Sequence, residues 1–199
     1  MQLVFATNNE HKLKEINHIL GESFNLLSLI DLKIDSDIPE NEPTLEGNAL
    51  HKARFIYSLT GKDVFADDTG LEIDFLDGKP GVTSARFAGA DKNSDANIDK
   101  VLSLMGSANN RKARFRTVIA LILDNREYLF EGIVNGTIIS EKRGMEGFGY
   151  DPVFVPEGKD KSFAQMELDE KSMISHRARA FEKLREFLTR NNSNNKVIV

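Results

Sequence analysis

Strand-like and helical periodicities alternate along the whole of this 199-residue chain, which predicts an α/β fold built on one long mixed central sheet with flanking helices. Three observations carry the prediction. Short apolar runs alternate with helical stripes in the first half, two longer strand candidates lie next to each other in the second half, and no repeat or domain-scale linker breaks the order. The length suits one large domain, or one domain folded as two lobes. With 40% hydrophobic and 29% charged residues, the chain can bury a sizeable core and is far from the profile of a disordered polymer.

Residues 2–6 read as a short buried strand. From Glu10 the apolar positions Leu13, Ile16, Ile19 and Leu20 change to helical spacing, with Gly21 as the C′ residue. A second strand is expected over 24–29, then a loop kept extended by Pro39 and Pro43 around Glu40 and Glu42. The helix over 44–59 is apolar on Leu45, Ala49, Ala53, Ile56 and Tyr57 and ends at Gly61. Strands at 63–67 and 71–76 flank a sharp turn, Asp67-Asp68-Thr69-Gly70, and Asp77-Gly78-Lys79-Pro80-Gly81 is a turn cluster suited to a hinge. A helix over 96–105 closes at Gly106, and strands 113–123 and 128–139 form a hairpin across Asp124-Asn125-Arg126. The last helix, over 172–189, carries Ile174, Ala178, Phe181, Leu184 and Leu188 on one face. The domain is placed at 1–190 and a frayed polar tail at 191–199.

Composition narrows the function. The absence of cysteine excludes disulfides, thiolate metal sites and a cysteine nucleophile. No apolar run is long enough to span a membrane, and the N-terminus enters a strand without a basic leader, so a cytoplasmic protein is expected. A formal charge of −5 provides no global field for a nucleic-acid polymer. A small anion can still bind where local lysines, arginines, amides or a bridging cation offset the repulsion.

Five constellations offer chemistry. Thr7-Asn8-Asn9-Glu10-His11-Lys12 lies between a buried strand and a helix start, where free N–H groups and the dipole favour an anion; it contains no glycine and is not a P-loop. An N-cap with a solvated lysine is the alternative. Asp67-Asp68 places two carboxylates at a strand end, one facing the site and one bracing the turn, and a hard cation such as Mg²⁺ would relieve their burial; an ordinary Asp-rich turn is the alternative. Glu40 precedes a helix on which Glu46, Asn48 and Lys52 fall near one another, a reach across a cleft or a solvated face. Gly147-Phe148-Gly149-Tyr150-Asp151-Pro152 offers either a rigid surface for base stacking or packed aromatics at a bulged strand end. Lys171 with Ser175-His176-Arg177 is an array of donors for a polar heterocycle or phosphate, although a single His is more often structural; His18 and His51 read as surface residues.

In order and spacing these segments, together with Glu46-Gly47-Asn48-Ala49, Pro80-Gly81 and Ser84-Ala85-Arg86, resemble the inosine triphosphate pyrophosphatase family over nearly the whole chain. Asn8 and Thr69 stand where that family often has glycine and serine, and Gly47 is an extra-flexible position in its helix. The resemblance implies hydrolysis of ITP, dITP and XTP to the monophosphate and pyrophosphate, with Mg²⁺, by a homodimer whose two lobes enclose an active-site cleft. It implies Asp68 as general base and metal carboxylate with Glu40 as its metal-binding companion. Thr7, Asn8, Asn9, Glu10, His11, Lys12, Lys52 and Thr69 would be phosphate contacts, Arg86 a weaker one. Phe148, Gly149, Tyr150, Asp151, Lys171, His176 and Arg177 would form the nucleobase end. A Maf-like nucleotide pyrophosphatase with a different preferred base, and a nucleotide-binding sensor without turnover, are the competing expectations.

Overall fold

The computed structural model describes residues 2–20, 25–35 and 38–195, the side chains of 18, 20 and 192–195 excepted. Gly21, Phe24, residues 196–199 and the His18 side chain, on which expectations had been placed, lie outside the described residues. The elements run β1 (Gln2–Phe5), α1 (Glu10–Leu20), β2 (Asn25–Ser28), α2 (Leu45–Thr60), β3 (Val64–Ile73), β4 (Pro80–Gly81), α3 (Ser94–Met105), β5 (Lys112–Leu123), β6 (Arg126–Ile138), β7 (Phe154–Pro156), α4 (Leu168–Ile174) and α5 (His176–Asn195). They build one mixed sheet of order β2-β1-β3-β5-β6-β7, with β4 paired to β3. β1 is parallel to β2 and β3, whereas β3, β5, β6 and β7 pair antiparallel. The expected α/β fold is thus observed.

Local signals explain most boundaries. The Thr44 hydroxyl accepts from Gly47 N at 3.0 Å and starts α2; Gly61 in the left-handed region, its N–H donating to Tyr57 O, ends it. Asp124 and Asn125 both have positive φ, as the tight turn of a twisted hairpin requires, and β6 begins at Arg126.

Four expectations are corrected. Asp67-Asp68-Thr69-Gly70 is no turn: β3 runs unbroken from Val64 to Ile73, paired residue for residue with β5. Gly70 signals close approach, since a Cβ there would lie 2.7 Å from the Gly81 carbonyl oxygen of β4. The cluster at 77–81 is tied to that strand by the pairs Leu71–Gly81 and Glu72–Pro80 instead of forming a free hinge. The helix expected over 172–189 is two helices broken at Ser175, whose extended backbone ends α4 and whose hydroxyl accepts from Ala178 N at 3.1 Å to cap α5. α5 then continues to Asn195, where a frayed tail was expected.

Strand alternation sorts the core. One sheet face packs Val64, Ala66, Val118 and Ala120 against α2. The other packs Phe5, Phe65, Ile119 and Leu121 against α1 and α5. Farther along that second face the apolar ladder stops at Asp67, Thr69 and Thr117, then resumes with Leu71, Ile73 and Phe115, which belong to a separate core with α3 and the 150–166 segment. The polar interval between these two cores is where the cleft opens.

Candidate active site

Adjacent residues of β3 point to opposite faces, so its two aspartates serve different walls. Asp68 faces α2: Asn48 Nδ2 donates to it at 3.0 Å, and Thr69 N donates at 3.0 Å. Lys52 Nζ lies 3.7 Å from Asp68 and 2.6 Å from Glu40, so two carboxylates share one ammonium. Arg86 reaches the same Glu40 through its carbonyl and its carboxylate. Burial pushes the Asp68 carboxyl above the usual aspartate range and Glu40 adds to the shift, against Lys52 and Lys12. Burial would raise the Glu40 carboxyl, but Lys52, with Lys12 and Lys92, holds it below its ordinary value.

Asp67 faces α1 and α5 and is 1% exposed. It accepts from Lys12 Nζ at 2.9 Å, with Arg177 Nε 3.7 Å away. Arg177 is also paired with Glu15 of α1, and Glu15 accepts from Lys171 at 2.8 Å. Lys171 donates at 2.7 Å to Asp151. Cations and anions therefore alternate from Lys12 through Asp67, Arg177, Glu15 and Lys171 to Asp151, which is how so many charges lie buried together. Burial would raise the Glu15 carboxyl, but Arg177 and Lys171 hold it below the ordinary value.

The 147–151 loop closes this wall. Gly147 has φ +77°, and a Cβ there would collide with the Asp151 carboxylate, which accepts from Phe148 N at 2.8 Å. The Phe148 ring lies 5.1 Å from the His11 ring and 5.3 Å from both Lys171 Nζ and Arg177 Cζ. His176 is stacked on Phe115 at 4.6 Å; burial, then Arg177 and Lys171, push its pKa well below the usual value and keep the imidazole neutral. His176 Nδ1 and Arg177 Nε are buried without a hydrogen-bond partner. A cavity of about 260 Å³ runs between the walls, with Glu40 and Asp68 contributing to its lining as well as Phe148, Lys171, His176 and Arg177.

The family model described as the Ham1 family matches residues 3–187. The chain belongs to the Ham1 family. It is 54% identical over 188 residues to a protein of Porphyromonas gingivalis named dITP/XTP pyrophosphatase, covering 94% of this chain and 97% of that one. A protein of the same name from Flavobacterium psychrophilum is 50% identical over 187 residues, covering 94% and 98%. Among solved structures, the Ham1 protein of Staphylococcus aureus superposes with a TM-score of 0.87 at 38% identity, covering 96% of this chain and 100% of that one. The resemblance drawn from the motifs therefore holds.

In this Ham1 family chain the cavity brings together Asn9, Lys12, Glu40, Asp68, Thr69, Phe148, Gly149, Tyr150, Asp151, Lys171, His176 and Arg177. Thr7, Asn8, Glu10, His11, Lys52 and Arg86 are not on its wall. Thr7 accepts from Asn9 N, Asn9 caps α1 by accepting from Lys12 N at 3.1 Å, and Asn8 lies in the same turn. Glu10 is exposed in the first turn of α1, where its charge suits the helix dipole. Lys52 stands behind Glu40. Tyr150 offers no stacking surface: it is 4% exposed, packed in a core, and its hydroxyl donates to Ser84 O at 2.8 Å. Glu46 does not join Asn48 and Lys52, because two residues along a helix turn it to another face, where it pairs with Arg116 of β5. Sequence reasoning missed Glu15, Lys92, Asn97 and Phe115. Glu15 was detectable in principle, as a carboxylate one position before Ile16 on the buried stripe of α1.

Proposed function

We propose that this cleft hydrolyses ITP, dITP and XTP to the nucleoside monophosphate and pyrophosphate. One observation carries the reading: a single cavity has the carboxylates Glu40 and Asp68 in its wall together with an aromatic and hydrogen-bonding wall, in a chain whose relatives are named dITP/XTP pyrophosphatase. Carboxylates repel a polyphosphate unless a cation mediates. Glu40 and Asp68 share the one Lys52 ammonium, and burial disfavours the charge on Asp68, so this pair fits a hard cation that takes its remaining ligands from phosphates and water, as Mg²⁺ does. When bound, the ion would neutralise charge on the phosphate oxygens.

The chain's own groups supply the rest. Asp68 orients a water for attack on the α-phosphorus and takes its proton. The bond from that phosphorus to the bridging oxygen breaks and pyrophosphate leaves. Lys12 and Thr69 hold the phosphate chain, Lys52 keeps Glu40 and Asp68 in place, and Arg86 fixes Glu40 from the other lobe. Phe148 and Gly149 contact the base, beside Asp151, Lys171, neutral His176 and Arg177. A 6-oxo purine accepts from the donor-only Arg177, whereas the 6-amino group of adenine would strand it, costing on the order of 1–3 kcal/mol. The enzyme works on free nucleotides as a cytoplasmic homodimer, with 1–190 as one catalytic domain; among the described residues no helix is long and apolar enough to cross a membrane.

Pyrophosphate release from ITP, dITP, XTP, ATP, GTP and dTTP, with and without Mg²⁺, tests this. Metal-dependent release from the first three, well above the others, is expected. A dTTP preference would overturn the base assignment, and binding without products would leave a sensor.

A further inference from the structure

The cations of the cleft are nearly all committed to carboxylates. Lys12 lies 2.9 Å from Asp67, Lys52 lies 2.6 Å from Glu40, and Lys171 lies 2.8 and 2.7 Å from Glu15 and Asp151. Arg86 and Arg177 are likewise paired, with Glu40 and Glu15. Together with Asp68, those carboxylates equal the paired cations in number. A site charged this way has no net attraction for a polyanion.

Lys92 breaks the balance. It lines the same cavity, its charge acts on Glu40, and it is exposed; among the described residues no hydrogen bond or ion pair engages its ammonium. Its backbone has φ +52°, a strained choice for a residue with a side chain, immediately before Asn93, which caps α3 by accepting from Ala96 N at 3.0 Å. The strained turn sets the lysine just before α3, on the cavity that Glu40 also lines. We propose that Lys92 is a substrate-positioning residue: its ammonium grips the phosphate chain of the nucleoside triphosphate, and then the pyrophosphate product, from the α3 end of the cavity. This rests on the proposed activity. An ammonium with no intramolecular partner to give up meets a phosphate oxygen without breaking another ion pair, so its whole charge goes to the ligand.

The test uses the full chain with Lys92→Asn, which removes the charge yet tolerates the left-handed backbone, and Lys92→Arg, which keeps the charge. For the Asn variant, KM for ITP at low salt should rise about tenfold, kcat should stay within about twofold, and inhibition by added pyrophosphate should weaken by about the KM factor. Arg should restore both, and the KM of the wild type should depend on salt more steeply than that of the Asn variant. KM and pyrophosphate inhibition unchanged in the Asn variant would overturn the inference while the activity stands. If the wild type releases no pyrophosphate from ITP, the activity itself fails. Calorimetric binding of inorganic pyrophosphate then decides the role of Lys92, with equal affinity in wild type and Asn variant refuting it.

Discussion

Gly132 holds no substrate and yet controls where the base-reading residues stand. It lies on β6 opposite Thr117, beneath the first turn of α5. A Cβ at this position would sit 2.5 Å from Ala180 N, 3.1 Å from Ala180 Cα and closer still to the His176 carbonyl oxygen, where ordinary contact begins at 3.4 Å. Gly132→Ala must therefore lift the start of α5 from the sheet by about 0.9 Å or more, the difference between 3.4 and 2.5 Å. His176 and Arg177 ride on that turn, and Arg177 is 1% exposed between Glu15, Asp67 and Thr69, so no slack exists to absorb the movement. Overpacking of this kind costs about 1–3 kcal/mol, which for a chain of this length lowers Tm by roughly 2–12 °C. Displacing positioning groups by about 1 Å costs on the order of 100-fold in kcat/KM. Thermal melts and steady-state kinetics on ITP and ATP read both effects; the ITP preference should narrow along with the rate. Gly89→Ala is the control, because a Cβ there meets nothing within 4 Å. A Gly132→Ala protein with the Tm and kcat/KM of the wild type would refute the placement of α5 as the source of base recognition.

Asp68→Asn should lower pyrophosphate release by about 10²–10⁴ while Tm stays level or rises, because the amide removes a buried charge that Glu40 repels; near-normal turnover in the folded variant would defeat the assignment. Acid should destabilise the fold through Glu15. Its folded pKa lies below the unfolded value, so its contribution is fully present above the ordinary glutamate pKa and is lost as the pH falls through the lowered one. Melts from about pH 6 down to about pH 3 should therefore show a steeper loss for the wild type than for Glu15→Gln, and parallel curves would count against the buried ionic chain.

The chain's own order of residues already determined the fold class, the hairpin at Asp124-Asn125 and both ends of α2, because these depend on local periodicity, capping and turn chemistry. Even the opposite orientation of Asp67 and Asp68 follows from strand geometry alone. Tertiary structure decided the rest. A glycine in a polar tetrad looks the same in sequence whether it makes a turn or admits a neighbouring strand, and only the pairing of β3 with β4 and β5 shows that Gly70 does the second. Ser175 reads equally well as an exposed helical residue or a cap until the break between α4 and α5 is seen. The partners in the ionic wall are far apart along the chain, Glu15 from Lys171 and Lys12 from Asp67. Which cation is left without a carboxylate depends on the assembled cleft, on how β3, α1, α4 and α5 pair their charges while Lys92 stands beside α3, a matter of long-range packing that local sequence does not encode.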